Sequence, residues 1–142
     1  MPARRICYFA EEIDFELSHQ DAATAWIQQV IKQEGARLDH LNFIFCSDAY
    51  LHAQNVQYLQ HDTLTDVITF SHHEQSNQIE GDVYISLERV KENATMYGNT
   101  LEQELYRVMI HGVLHLLGYR DKTTAEQIQM RAKEDVYIAA RG

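Results

Sequence analysis

His111 and His115 stand one helical turn apart in the stretch His111-Gly-Val-Leu-His-Leu-Leu-Gly-Tyr-Arg-Asp121. Residues at i and i+4 project from the same face of a helix, so their imidazole nitrogens can converge on one metal ion, as in H-x-x-x-H zinc helices. Between Val108 and Leu117 every other residue except Gly112 is apolar, which describes a helix buried on most sides. One histidine in such a helix would be an ordinary hydrogen-bonded core residue. The pair, followed by a glycine and a carboxylate, reads instead as a metal site. Gly118 falls where a helix-ending glycine reverses the chain, which lets Asp121 fold back as a third ligand. Three protein ligands leave a position for water, the pattern of catalytic rather than structural zinc.

The same segment argues against the commonest metalloprotease. In H-E-x-x-H enzymes the residue after the first histidine is the general base, and here that residue is Gly112. Glycine within a helix costs about 1 kcal/mol against alanine and often marks the close approach of another element. Plain helix packing explains it equally well.

Three further motifs precede the helix in order: Asn55-Val-Gln-Tyr58 with Asp62, Thr65-Asp-Val-Ile-Thr-Phe70, and Gly81-Asp-Val-Tyr-Ile-Ser86. Together with His111-Gly-x-Leu-His-Leu-x-Gly-Tyr119 they resemble the bacterial YbeY family of metal-dependent endoribonucleases. The resemblance implies a ribosomal RNA substrate, with 3′-end processing of 16S rRNA and ribosome quality control as the biological setting. It also implies contact with the small subunit and ribosome-associated proteins, and a metal cleft between the central helix and the sheet. Two positions depart from the family pattern. That pattern usually ends Gly-Tyr-Asp-His, with three histidine ligands, whereas this chain has Arg120 and Asp121 at the last two places. The family commonly carries an arginine after its Asn-x-x-Tyr, and here that residue is Leu59. Two histidines and one carboxylate suit zinc, and also iron(II) and other divalent ions.

The chemistry expected of such a site is metal-assisted hydrolysis: a divalent ion lowers the pKa of a coordinated water and steadies charge growing on phosphate oxygens. No catalytic side chain is fixed by the sequence. Asp66, at a strand start, is a candidate base or a support for the ligands, and it equally suits a turn. Two other functions fit the same residues. One is a non-catalytic ribosome-assembly or binding factor with a structural metal, which would need a fourth protein ligand. The other is a metallohydrolase of another bond, such as a peptide.

Composition sets the outer limits. At 142 residues and 45% hydrophobic, residues 1–142 are long enough for one domain with one core. No apolar run approaches the ~20 residues of a membrane span, and the N-terminus lacks a secretory apolar stretch, so a cytoplasmic protein without membrane contact is expected. Cys7 and Cys46 lie far apart in apolar runs with no C-x-x-C spacing and read as buried, reduced thiols. The net charge of −9 opposes a broad nucleic-acid grip. Local cations decide that question. Arg4 and Arg5, Arg89 and Lys91, and Arg120 and Lys122 are the candidates, the last two flanking the proposed ligand. His72 and His73 have no ligand spacing and are expected to be solvated.

The elements that must position these groups alternate along the chain. Arg4 to Phe9 reads as a strand, and Ser18 as the N-cap of a helix through Trp26, Ile27, Val30 and Ile31 that ends before Gly35. Leu38, Leu41, Phe43 and Phe45 mark a second strand, with Asn42 and Ile44 on its other face. Ser47-Asp48 suits the cap of a short helix towards Gln57. Asp66–Phe70 and Asp82–Ser86 read as strands joined by a polar loop, and Leu87–Tyr97 as a helix ending at Gly98. Thr100 with Gln103 forms a capping box that opens the histidine helix, and Thr123 with Glu126 opens a last helix through Ala139. The expected architecture is α+β (α/β-like), a four-stranded sheet with about five helices. Periodicity leaves the strand order open.

Overall fold

The computed structural model describes residues 5–56, 66–72 and 77–141. Four strands and five helices run in the order β1 (Ile6–Glu11), α1 (Gln20–Gln33), β2 (Arg37–Cys46), α2 (Asp48–Gln54), β3 (Val67–Ser71), β4 (Gln78–Ser86), α3 (Leu87–Tyr97), α4 (Leu101–Leu116) and α5 (Thr124–Arg141). The sheet order is β1-β2-β4-β3. β2 pairs in parallel with both β1 and β4, while β3 lies antiparallel to β4, giving a mixed α+β sheet as expected.

Strand alternation sorts side chains onto two faces. Leu41, Phe43 and Phe45 of β2 and Val83 and Ile85 of β4 are at most 1% exposed and join one core with α1 and α4. The opposite face carries Cys46 and Ile68, which pack with Leu51 of α2 in a smaller cluster bordered by Tyr50, Phe70 and Tyr84. α4 supplies the centre of the main core through Met109, Ile110, Val113 and Leu114, each 0% exposed. Each such burial contributes about 1.5–3 kcal/mol against leaving the side chain in water. The helix is thereby clamped to the sheet, and its two histidines with it.

Gly112 is where α4 meets the sheet. A Cβ at this position would lie 2.7 Å from Cγ1 and 3.3 Å from Cγ2 of Val83, and 3.6 Å from Cγ2 of Thr69. Of the two explanations for this glycine, close approach of a neighbouring element is the one observed.

The caps follow the sequence at α4 and α5. Thr100 and Gln103 exchange side-chain and backbone bonds at 3.1 and 2.9 Å, and Thr123 and Glu126 do the same at 3.1 and 2.9 Å. Ser18 departs from expectation. The residue before α1 is His19, in the left-handed region at φ 57°, and no side chain caps the helix. The chain turns at His19, whose carbonyl accepts the Ala23 N–H at 3.1 Å, so Ser18 stands outside the first turn. The short helix stops at Gln54, and β1 and β2 each run beyond the expected ends. Cys46 is fully buried, and that burial pushes its thiol up to about 12. Cys7 is only half-buried, because it lies on β1 at the sheet edge.

Candidate metal centre

α4 ends in a paired-hydrogen-bond turn that sets the position of Asp121. The Gly118 N–H bonds the His115 carbonyl and the Tyr119 N–H bonds the Leu114 carbonyl, both at 3.0 Å, with Gly118 at φ 104°. These are the two bonds of a Schellman ending, which needs a left-handed residue just past the helix. The chain then doubles back, and Asp121 lies against the histidine pair.

Nε2 of His111 lies 3.0 Å from Nε2 of His115, and Oδ2 of Asp121 lies 3.4 Å from each. Tetrahedral zinc with bonds of about 2.0–2.1 Å separates its ligand atoms by about 3.3 Å. The triangle therefore has the dimensions of one face of such a site. Among the described residues, His111, His115 and Asp121 are the one group of three His, Cys, Asp or Glu residues whose donor atoms converge in this way.

Hydrogen bonding at the far side of each ring fixes what the near side can do. Nδ1 of His111 lies 2.7 Å from Oε2 of Glu134, and Nδ1 of His115 lies 3.0 Å from the carbonyl oxygen of Tyr119. Carboxylates and carbonyls only accept, so each Nδ1 carries the proton and donates. In the neutral rings both Nε2 atoms are then acceptors, and they face each other and a carboxylate. Three acceptor atoms at about 3 Å can be satisfied by a proton on one Nε2 or by a divalent ion, and two imidazole nitrogens with a carboxylate oxygen are a donor set that fits such an ion.

Charge divides the two rings. Burial opposes protonation of His111, but Glu134, Asp121 and Asp66 outweigh it and hold its pKa above the usual range. Burial and the neighbouring His111 hold His115 below that range, with Asp121 and the Tyr119 carbonyl opposing. His115 is thus the ring more readily presented as a neutral ligand.

Several side chains at the site were not apparent from the sequence. Glu134 is 5% exposed and also accepts from Arg107 Nη1 at 2.9 Å, while Arg107 Nη2 donates to Asp135 at 2.8 Å. A signal for Glu134 exists: it shares the buried face of α5 with Met130 and Tyr137, where a carboxylate needs a partner. Tyr119 is held from below, its hydroxyl donating to Glu34 Oε1 at 2.5 Å, and Glu34 also accepts from Tyr137 and, at 3.0 Å, from Lys133. Glu34 closes α1, 85 residues from Tyr119, and no local pattern joins them.

The remaining candidates divide. Asp66 lines the same cleft as His111 and Asp121, accepts the Asn93 amide at 3.4 Å on Oδ2, and is not one of the three converging donors. Arg120 and Lys122 are exposed on either side of Asp121. Arg89 is committed to Asp48 at 3.1 Å, and Arg5 to the Leu38 carbonyl at 2.7 Å. His72 is exposed, as expected, and contacts Asp82 at 3.2 Å. Arg4, Tyr58, Leu59, Asp62, Thr65 and His73 lie outside the described residues.

Two imidazoles, each braced from behind, and a carboxylate meet beside a cleft lined by His111 and Asp121, an arrangement that suits the metal-dependent hydrolase class. Comparison with known proteins narrows the class. The family model described as Endoribonuclease YbeY matches residues 8–142. A protein named Endoribonuclease YbeY from Amoebophilus asiaticus is 59% identical over 140 residues, covering 99% of this chain and 95% of its own length. Another of that name, from Cytophaga hutchinsonii, is 44% identical over 141 residues, covering 99% of each chain. The solution structure of a Thermotoga maritima protein superposes with a TM-score of 0.66 at 28% identity, over 96% of this chain and 88% of its own. The chain belongs to the YbeY family of endoribonucleases. No helix among the described residues is long and apolar enough to cross a membrane.

Proposed function

We propose that this protein is a zinc-dependent endoribonuclease of ribosomal RNA maturation, in which His111, His115 and Asp121 hold the single ion. The observation that carries the reading is the convergence of three acceptor atoms, at 3.0 and 3.4 Å, with both outer ring nitrogens already donating. The ion, when bound, supplies Lewis acidity towards a phosphodiester and makes water a nucleophile near neutral pH.

The chain's own groups do the rest. Glu134 and the Tyr119 carbonyl hold the two rings in the ligating tautomer. Asp66 lines the same cleft, with its Oδ2 on the Asn93 amide, and is the carboxylate assigned to accept a proton from the attacking water. Arg120 and Lys122, exposed on either side of Asp121, are the local cations available to an RNA backbone despite the net charge of −9. The substrate is single-stranded RNA of the small ribosomal subunit, at the 3′ end of 16S rRNA, met in the cytoplasm with ribosome-associated proteins. With Asp in place of a third histidine, iron(II) is the competing ion.

The test is removal and return of metal. Chelated protein should lose cleavage of a single-stranded 16S 3′-end fragment, and zinc should restore it. Restoration by iron(II) but not zinc overturns the metal assignment, and full cleavage by chelated protein overturns the role of the ion.

A further inference from the structure

Next to the metal centre the described residues enclose a cleft of about 790 Å³, running over α4 between α3 and α5. Its floor is one stripe of α4, Glu104, Arg107, Val108 and His111, at the i, i+3, i+4, i+7 spacing of a helix face. One wall comes from Asn93 and Tyr97 of α3, one turn apart, and the other from Gln127, Ile128 and Arg131 of α5. At 1.5 Å per residue the floor extends about 10 Å from Glu104 to His111. The cleft is therefore continuous with the ligands at one end and flanked by Tyr97, which ends α3, along its wall.

What lines that wall is unusual for a protein surface. Tyr97 and Ile128 are both 65% exposed, two of three large hydrophobic side chains at or above that exposure among the described residues. Arg131 is exposed and makes no ion pair among the described residues, unlike Arg89, Arg107 and Arg141. The acidic groups nearby are largely answered. Glu134 and Asp135 are bonded by Arg107, and Glu104 is buried and takes the Asn99 amide at 3.3 Å. Asp66 takes the Asn93 amide. What remains open is a flat aromatic ring, an aliphatic side chain and a cation, while the Gln127 amide nitrogen donates to the Asp121 carbonyl at 3.0 Å.

Apolar faces and a cation, set beside a phosphodiester-cleaving centre, match the parts of a single-stranded nucleotide. Its bases stack on aromatic rings, and its backbone is met by Lys and Arg. We propose that this cleft is a base-binding subsite for the RNA strand beside its scissile phosphate, with Tyr97 as the stacking platform and Arg131 as the phosphate contact. The inference rests on the endoribonuclease reading given above.

The experiment uses the metal-loaded full chain and a fluorescent single-stranded oligoribonucleotide, in intact form and as a series with one abasic nucleotide moved along it. Wild type, Tyr97→Ala, Tyr97→Phe and Arg131→Ala are compared in KM and kcat, with metal content checked for each. Tyr97→Ala should raise KM about 5- to 150-fold, the range that base–aromatic stacking supports. Its kcat and metal content should stay near wild type, and Tyr97→Phe should restore KM. One abasic position should produce the same loss in wild type and no further loss in Tyr97→Ala. Arg131→Ala should raise KM and reduce its salt dependence. Unchanged KM in Tyr97→Ala, or equal losses for every abasic position in both proteins, overturns the subsite. If metal-loaded wild type cleaves no RNA, the endoribonuclease reading itself fails, and anisotropy of the same oligonucleotide then judges the cleft alone: equal binding by wild type and Tyr97→Ala rejects it.

Discussion

Nδ1 of His111 and Oε2 of Glu134 lie 2.7 Å apart, and Glu134 is 5% exposed, so a buried carboxylate on α5 sets the orientation of the His111 ring on α4. Such a pairing fixes the ring's tautomer and raises its basicity as a ligand. Arg107 completes the arrangement from the other side of the carboxylate.

Glu134→Ala is expected to weaken metal binding about 10- to 100-fold, the usual effect of removing such a support. Glu134→Gln keeps an acceptor oxygen for the Nδ1 proton and should lose less. Competition with a chromophoric chelator gives both affinities. Equal affinity in Glu134→Ala and wild type would remove Glu134 from the site's support.

In the proposed centre Asp121 supplies an oxygen where the family pattern resembled by this chain has a histidine nitrogen. Asp121→His should therefore keep one ion per chain, while the visible spectrum of the cobalt(II)-substituted protein changes in position and intensity as a ligand changes from oxygen to nitrogen. A spectrum identical to wild type would mean that residue 121 does not touch the ion.

Glu34 ties α1 to the turn that carries Tyr119. Burial opposes its ionisation, but hydrogen bonds from Tyr119, Tyr137 and Lys133 outweigh this and hold its carboxyl below the usual glutamate range. A depressed carboxyl stabilises the fold above its unfolded pKa, and that contribution disappears as pH falls through the folded one. Lys133 is pushed up to about 12, first by the same carboxylate, so its contribution is present at neutral pH and is lost as pH rises towards that value. Glu34→Gln should melt below wild type at pH 7 by a few degrees, for a loss of about 1–3 kcal/mol. The gap should close as the pH is taken below about 4. A gap that stays constant from pH 7 to pH 3 contradicts this account of the cluster.

Gly112→Ala trades a gain in helix propensity of about 1 kcal/mol against a Cβ placed 2.7 Å from Val83. Val83 is fully buried and β-branched, so it has little room to turn away. A net destabilisation of about 1–3 kcal/mol is expected in urea unfolding. Adding Val83→Ala should relieve the clash, so the double variant should lose less than the two single losses combined. Strict additivity would place the strain elsewhere.

Local rules made His111, His115 and the turn at Gly118 legible, because an i,i+4 pair and a helix-ending glycine are fixed by helix geometry alone. Thr100 with Gln103 and Thr123 with Glu126 were legible for the same reason: both partners of each bond lie within one turn. What brings Glu134 to His111, or Glu34 to Tyr119, is the packing of helices 23 and 85 residues apart in sequence, and no local pattern carries it. Strand order was hidden likewise, since β2 pairs with β4 across the intervening α2 and β3. Ser18 failed as a cap because the left-handed turn at His19 depends on where the chain arrives from β1. The cleft beside Tyr97 was out of reach too, because its walls come from three helices.

In the proposed centre His111, His115 and Asp121 hold the ion on which RNA cleavage depends. Metal content and cleavage of a single-stranded ribosomal fragment are to be measured side by side for wild type, His115→Ala and Asp121→Ala. Wild type should carry one ion and cleave, with both falling together in the two variants. Full metal content and full cleavage in Asp121→Ala would contradict the third ligand, and equal cleavage by all three proteins would contradict the claim as a whole.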